Sequence, residues 1–165
     1  MPSDISESSS SIPPDTRARI QHLAGSLLDH YKVHEPPVPV EYMLKHPLHN
    51  LWQPNPSKVS FIIGHGLYRY APRLAEARQL YRLICENPDA RRIGLDAPWP
   101  ASRREVKYFA RCLLMPEAWI RQLPEVDRTP DAISERFQVT SFDALIRLAE
   151  LGYAVPDSPA IGAIE

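Results

Sequence analysis

Apolar residues recur at helical spacing in several separate stretches of the chain. In the first, Ile20, Leu23, Ala24, Leu27, Leu28 and Tyr31 fall at i, i+3, i+4 and i+7 intervals. This predicts a helix with one buried face, capped by Asp15 or Thr16. Pro72–Glu86 predicts a second long helix, with Leu74, Ala77, Leu80, Tyr81 and Ile84 inward. Ser102–Leu123 is the stretch around which the rest is organised. Val106, Phe109, Ala110, Leu113 and Leu114 make its buried face, and Ser102 with Glu105 makes a capping box at its start. Pro116 has no backbone N–H to continue the helix, so the run ends at Met115. Pro116–Leu123 is then a short second helix with Trp119, Ile120 and Leu123 turned inward.

Shorter patterns fill the remainder. Pro36–Pro39 is extended, Val40–Lys45 is a short helix, and Leu51 with Trp52 docks the following loop. Val59–Ile63 is β-branched and aromatic and reads as a strand, with Gly64-His65-Gly66 as a turn and Leu67–Ala71 as hairpin partner. Thr129-Pro130 opens a helix through Phe137. Thr140 to Asp143 opens another, carrying Phe142, Leu145, Ile146, Leu148 and Ala149 and closed by Leu151-Gly152. That last pair resembles a helix-turn-helix. The predicted fold class is α+β: a mostly helical domain with a small antiparallel hairpin.

A chain of 165 residues is sufficient for one core. Residues 15–153 read as a single domain between a Ser-rich tail, 1–14, with too little apolar content to order, and a flexible tail, 154–165. The net charge of −1 supplies no global attraction to nucleic acid or membrane. No apolar run approaches the ~18 residues of a membrane span, and the N-terminus lacks the basic-then-apolar order of a secretory signal. Cys85 and Cys112 sit among apolar residues and read as buried thiols in a cytoplasmic protein.

Candidate chemistry is sparse. His34-Glu35 begins like H-E-x-x-H, but Pro36 and Pro37 forbid the helix and Val38 stands at the fifth position. His22, His30 and His65 read as exposed. Cys85, Glu86, Cys112, Glu105 and His65 match no metal-ligand spacing. No G-x-S-x-G elbow or phosphate-binding glycine loop occurs. The helix-turn-helix-like pair opens its second helix with Ser141, Phe142 and Asp143, and only Arg147 follows further on. An acidic, aromatic start opposes contact with DNA phosphates, so the pair reads as a packing element.

Glu105 to Pro116, read EVKYFARCLLMP, resembles the "EAN-x-FA-x-x-LLMP" signature of the ImmA/IrrE family of zinc metallo-endopeptidases. Pro36 to Glu41 resembles that family's "PPVPVE" segment. Ile133 to Thr140 together with Arg147 to Gly152 resembles its C-terminal segment, so three motifs stand in the family's order. The resemblance implies a zincin-like domain, zinc as cofactor, and cleavage of helix-turn-helix repressors in mobile-element and stress control. It also places the family's H-E-x-x-H helix on Arg73–Ile84. Arg78 and Arg82 then occupy the histidine positions, Gln79 the glutamate, Tyr81 the glycine, and Glu105 the third-ligand position.

This chain departs from the family there. A guanidinium has a pKa above ~12 and no lone pair for a metal, and a neutral Gln79 is no general base. The expectation is a pseudoenzyme with no catalytic residues and no metal, a regulatory module whose partner is a helix-turn-helix repressor. The alternatives are an active zinc peptidase with unconventional ligands, and a DNA-binding regulator. At the former site, either Glu105 bridges Arg78 and Arg82, or the arginines are solvated and Glu105 serves only its own helix start. Trp99 and Tyr81 are candidate lining residues of a remnant groove.

Overall fold

The computed structural model describes residues 12–54, 69–97 and 102–154. The described residues are all-α, 69% helical, with no strand among them. This corrects the α+β expectation. Val59–Ile63 and its turn lie outside the described residues, and so does the start of Leu67–Ala71. The end of that segment is not strand: Arg69 and Tyr70 form a turn, and Ala71 already begins a helix with Pro72 in its first turn. The fixed φ of proline favours that position and its missing N–H costs nothing there. The predicted tails, 1–14 and 154–165, fall largely outside the described residues. Pro14 is an exception, because it already belongs to the first helix.

Seven α-helices are described. They are α1 (Pro14–His30), α2 (Val40–Lys45), α3 (Ala71–Glu86), α4 (Arg103–Leu114), α5 (Glu117–Arg121), α6 (Pro130–Phe137) and α7 (Ser141–Glu150). A 3₁₀ segment, Pro88–Ile93, follows α3. Helix α4 is the centre: α3 and α1 both pack on it, α2 lies on α3, and α6 pairs with α7. The predicted stripes of α1, α3 and α4 are buried as expected, except that Tyr31 is only partly buried and caps the end of α1. Pro13, rather than Asp15 or Thr16, stands at the N-cap of α1, with no side-chain cap.

Local signals set most helix ends. The Ser102 hydroxyl accepts from Glu105 N–H at 3.2 Å, and Glu105 Oε2 accepts from Ser102 N–H at 2.7 Å, which completes the capping box. Thr129 Oγ1 accepts from Ala132 N–H at 3.3 Å and Thr140 Oγ1 from Asp143 N–H at 3.1 Å. At the end of α7, Gly152 adopts φ +80°. Its N–H reaches Ala149 O at 3.0 Å while Tyr153 N–H reaches Leu148 O at 3.0 Å, a Schellman closure that needs a residue free to take positive φ. Pro116 caps α5 from just outside it, so the second helix is shorter than Pro116–Leu123.

The outer face of α7 departs from its predicted pattern. Phe142 is 59% exposed, and Arg147 is buried at 1% exposure. Arg147 Nε donates to Met115 O at 3.1 Å, the residue where α4 stops. Its Nη1 lies 3.4 Å from Glu150 Oε2, and Arg111 Nη2 of α4 meets Glu150 Oε1 at 2.5 Å. The Arg147 guanidinium also lies 5.9 Å from the centre of the Tyr108 ring, and Arg17 of α1 lies 5.7 Å from the same ring. One carboxylate therefore joins two guanidinium groups across the α4–α7 contact.

Removing Glu150 would leave two cations without their shared anion in a largely dry contact. Glu150→Ala is expected to destabilise the protein by about 3 kcal/mol in urea unfolding. Exposed Glu125→Ala serves as the reference, and equal midpoints for the two variants would contradict the assignment.

Candidate functional site

The residues singled out by sequence lie on α3 and at the start of α4. The two helices run antiparallel: Tyr81 stacks on Phe109 with ring centroids 4.6 Å apart, while Cys85, one turn further along α3, lies near Glu105, one turn back along α4. Tyr81 is 0% exposed, so it is a core residue of the α3–α4 contact and does not line a surface groove. Trp99 lies outside the described residues, as does His65.

Arg78, Gln79 and Arg82 lie on the side of α3 away from its core stripe. Arg82 is exposed, and Arg78 is partly buried, with its Nε shielded and lacking a hydrogen-bond partner. Among the described residues no ion pair joins either arginine to Glu105. The Glu105 carboxylate is held instead by the Ser102 N–H. Of the two readings of this trio, the geometry favours a Glu105 that serves its own helix start. A backbone donor three residues away fixes that carboxylate at the cost of few rotors.

Tyr81, Cys85 and Glu105 form a small titratable group between the helices, with Arg19 of α1 close enough to act on Tyr81. Burial, with Cys85 and Glu105 alongside, raises the Tyr81 hydroxyl far above the phenol range. Burial pushes the Cys85 thiol up to about 11, with Glu105 and Glu86 adding to the shift and the Tyr81 hydroxyl opposing it. A thiol so placed is a poor nucleophile. Cys112 is buried, and its pKa is likewise raised by burial. Cys85 also borders a cleft of about 350 Å³ with Ile84, Glu86, Asn87, Arg91 and Leu95. Among the described residues no three His, Cys, Asp or Glu side chains come together as a metal site would require.

Sequence reasoning missed a second group, on the opposite flank of α3. Glu76 is only 5% exposed, with Oε2 lacking a hydrogen-bond partner. Burial raises its pKa to about 7, Glu41 of α2 adds to the rise, and Arg73 and Lys45 oppose it. Arg73 is committed elsewhere: its Nε donates to Gln138 O at 3.0 Å and its Nη2 to Val38 O at 2.7 Å. It thereby ties the start of α3 to the proline arm and to the α6–α7 turn. Position 76 falls just beside the apolar stripe, and only that placement hinted at burial.

Comparison of the chain with protein-family models, with curated proteins and with solved structures finds no match.

Two outcomes follow from the raised pKa values. Glu76 binds its proton more tightly folded than unfolded, so its contribution to stability declines as pH rises from 4.5 through about 7. E76Q, which stays neutral, is expected to gain on wild type over that window and to level off above it, by roughly 3 kcal/mol in urea unfolding. A pH-independent difference would contradict the burial. For Cys85, in a C112A background, alkylation by iodoacetamide at about pH 8 is expected to be roughly a hundredfold slower than for a free thiol, with the rate still climbing at about pH 10. A plateau by about pH 9 would contradict the raised value.

Proposed function

We propose that the protein is a non-catalytic regulatory module of the ImmA/IrrE kind, one that binds a partner protein and does not cut it. The observation that carries this reading is the chemistry of the solvent side of α3. Where the resembled family has two zinc-binding histidines and a catalytic glutamate, this helix offers Arg78, Arg82 and Gln79. Two fixed cations repel a dication, and an amide neither accepts nor delivers a proton at neutral pH. Glu105 keeps the third-ligand position by sequence, with its carboxylate engaged at the start of α4. Three further features agree with a binding role. The motifs occur in the family's order, the core of α3 and α4 is fully packed, and the cysteine nearest the site is deactivated by burial. The partner class implied by the resemblance is a helix-turn-helix repressor. No helix among the described residues is long and apolar enough to cross a membrane.

Metal content tests the reading. Untagged protein prepared with zinc supplementation is expected to hold far less than one zinc per chain by elemental analysis, with no rise in melting temperature on adding zinc. One tightly held zinc per chain would overturn it.

A further inference from the structure

Arginines on several elements of this fold are matched. Arg19 and Arg91 each lie 3.1 Å from Asp96, and Arg92 lies 3.1 Å from Asp89. Arg121 meets Glu117 at 2.5 Å, and Arg17 and Arg69 lie over tyrosine rings. Arg78 and Arg82 contrast with these. They stand one turn apart on one flank of α3, and among the described residues neither is joined to a carboxylate. Glu86, a turn beyond Arg82, is exposed and forms no ion pair with it. Glu76, the other acid of the helix, is buried on the opposite flank.

The two arginines are also differently prepared. Arg78 is partly buried with its Nε shielded, so its stem is already ordered by packing. Ordering it further on binding costs little entropy. Arg82 is exposed and adds charge beside it. Their Cα atoms are spaced along the helix by about 6 Å. Carboxylates two residues apart on one side of an extended chain are spaced by about 6.7 Å, a close match. A guanidinium fork accepts a carboxylate through two parallel N–H donors, a geometry that a bare point charge does not offer.

We infer that the Arg78–Arg82 flank of α3 docks an acidic, extended segment of a partner protein, one carboxylate to each guanidinium. This rests on the reading of the protein as a partner-binding module and gives that partner a chemistry. The occupant is a protein segment because two forks a helix turn apart match alternate side chains of a strand-like peptide, while the chain's net charge of −1 gives no broad field for a nucleic acid.

The probe is a fluorescein-labelled peptide of alternating Glu and Ser, titrated with the full chain at about 50 mM salt and followed by anisotropy. Wild type is expected to bind it and to leave a Lys-Ser peptide free. R78Q/R82Q is expected to weaken binding at least about tenfold, R82Q alone less, and R136Q, which removes an exposed arginine on α6, hardly at all. Because Arg82 is exposed, R82Q tests the site even if the double variant is poorly folded. The proposal is overturned if the acidic peptide does not bind, if R136Q weakens it as much as the α3 pair, or if a short DNA duplex displaces it through the same two arginines. Zinc analysis of the same preparation separates the two readings: bound zinc would remove the non-catalytic reading while leaving the peptide result to judge the arginine flank.

Discussion

The C-terminal end of α4 is the constraint on which the rest depends. Pro116 stops the helix, and the carbonyls of its last turn need donors that no following residue supplies. At Met115 the donor is Arg147 Nε–H, brought in from α7 at 3.1 Å. A guanidinium that is 1% exposed cannot stand alone in apolar surroundings, and Glu150 answers it. The same carboxylate takes Arg111 of α4. A proline break in one helix is thus stabilised by a charge network rooted in another. The network fixes α7 against α4, and α7 brings α6 with it.

The same logic recurs at the start of α3. Arg73, at the start of α3, donates to Val38 O in the proline arm and to Gln138 O in the α6–α7 turn. Val38 O also accepts from Val40 N–H at 2.9 Å, and the long Arg73 side chain adds the donor that joins the two loops. Burial without a full set of neighbours raises the pKa of Glu76 to about 7. Tyr108, set between the guanidinium groups of Arg17 and Arg147, links α1 to the same network through the face of its ring.

For function, these features separate the packed side of α3 from its free side. The packed side is completed by Phe109 stacking on Tyr81 and leaves no opening for a substrate at that residue. The opposite side carries Arg78, partly buried, and Arg82, exposed. A guanidinium offers a metal no lone pair and suits a carboxylate through its paired N–H donors.

The helices, most of their buried stripes and the caps of α4, α6 and α7 were legible in the sequence, while the cap of α1 was not. A helix hydrogen bond, a capping box or a Schellman turn closes within a few residues, so neighbouring letters suffice to specify it. The hairpin was less legible, because a short apolar run next to a proline suits a helix start as well as a strand end, and Ala71 with Pro72 began a helix. The fate of individual polar side chains was not legible at all. Arg147 was noted only as a cation beyond the start of α7 and Phe142 as part of its apolar pattern, yet tertiary packing buries the first and exposes the second. The partners that bury Arg147 and Arg111 lie 32 and 39 residues away along the chain, and no periodicity encodes a contact at that separation. The sequence by itself determined where α3 runs and that Arg78, Gln79 and Arg82 stand within a turn of one another on it. Only the tertiary structure decided that Arg147 is buried against Met115 and Glu150, that Glu76 is enclosed, and that Arg78 and Arg82 are left without a carboxylate among the described residues, because each depends on groups remote along the chain.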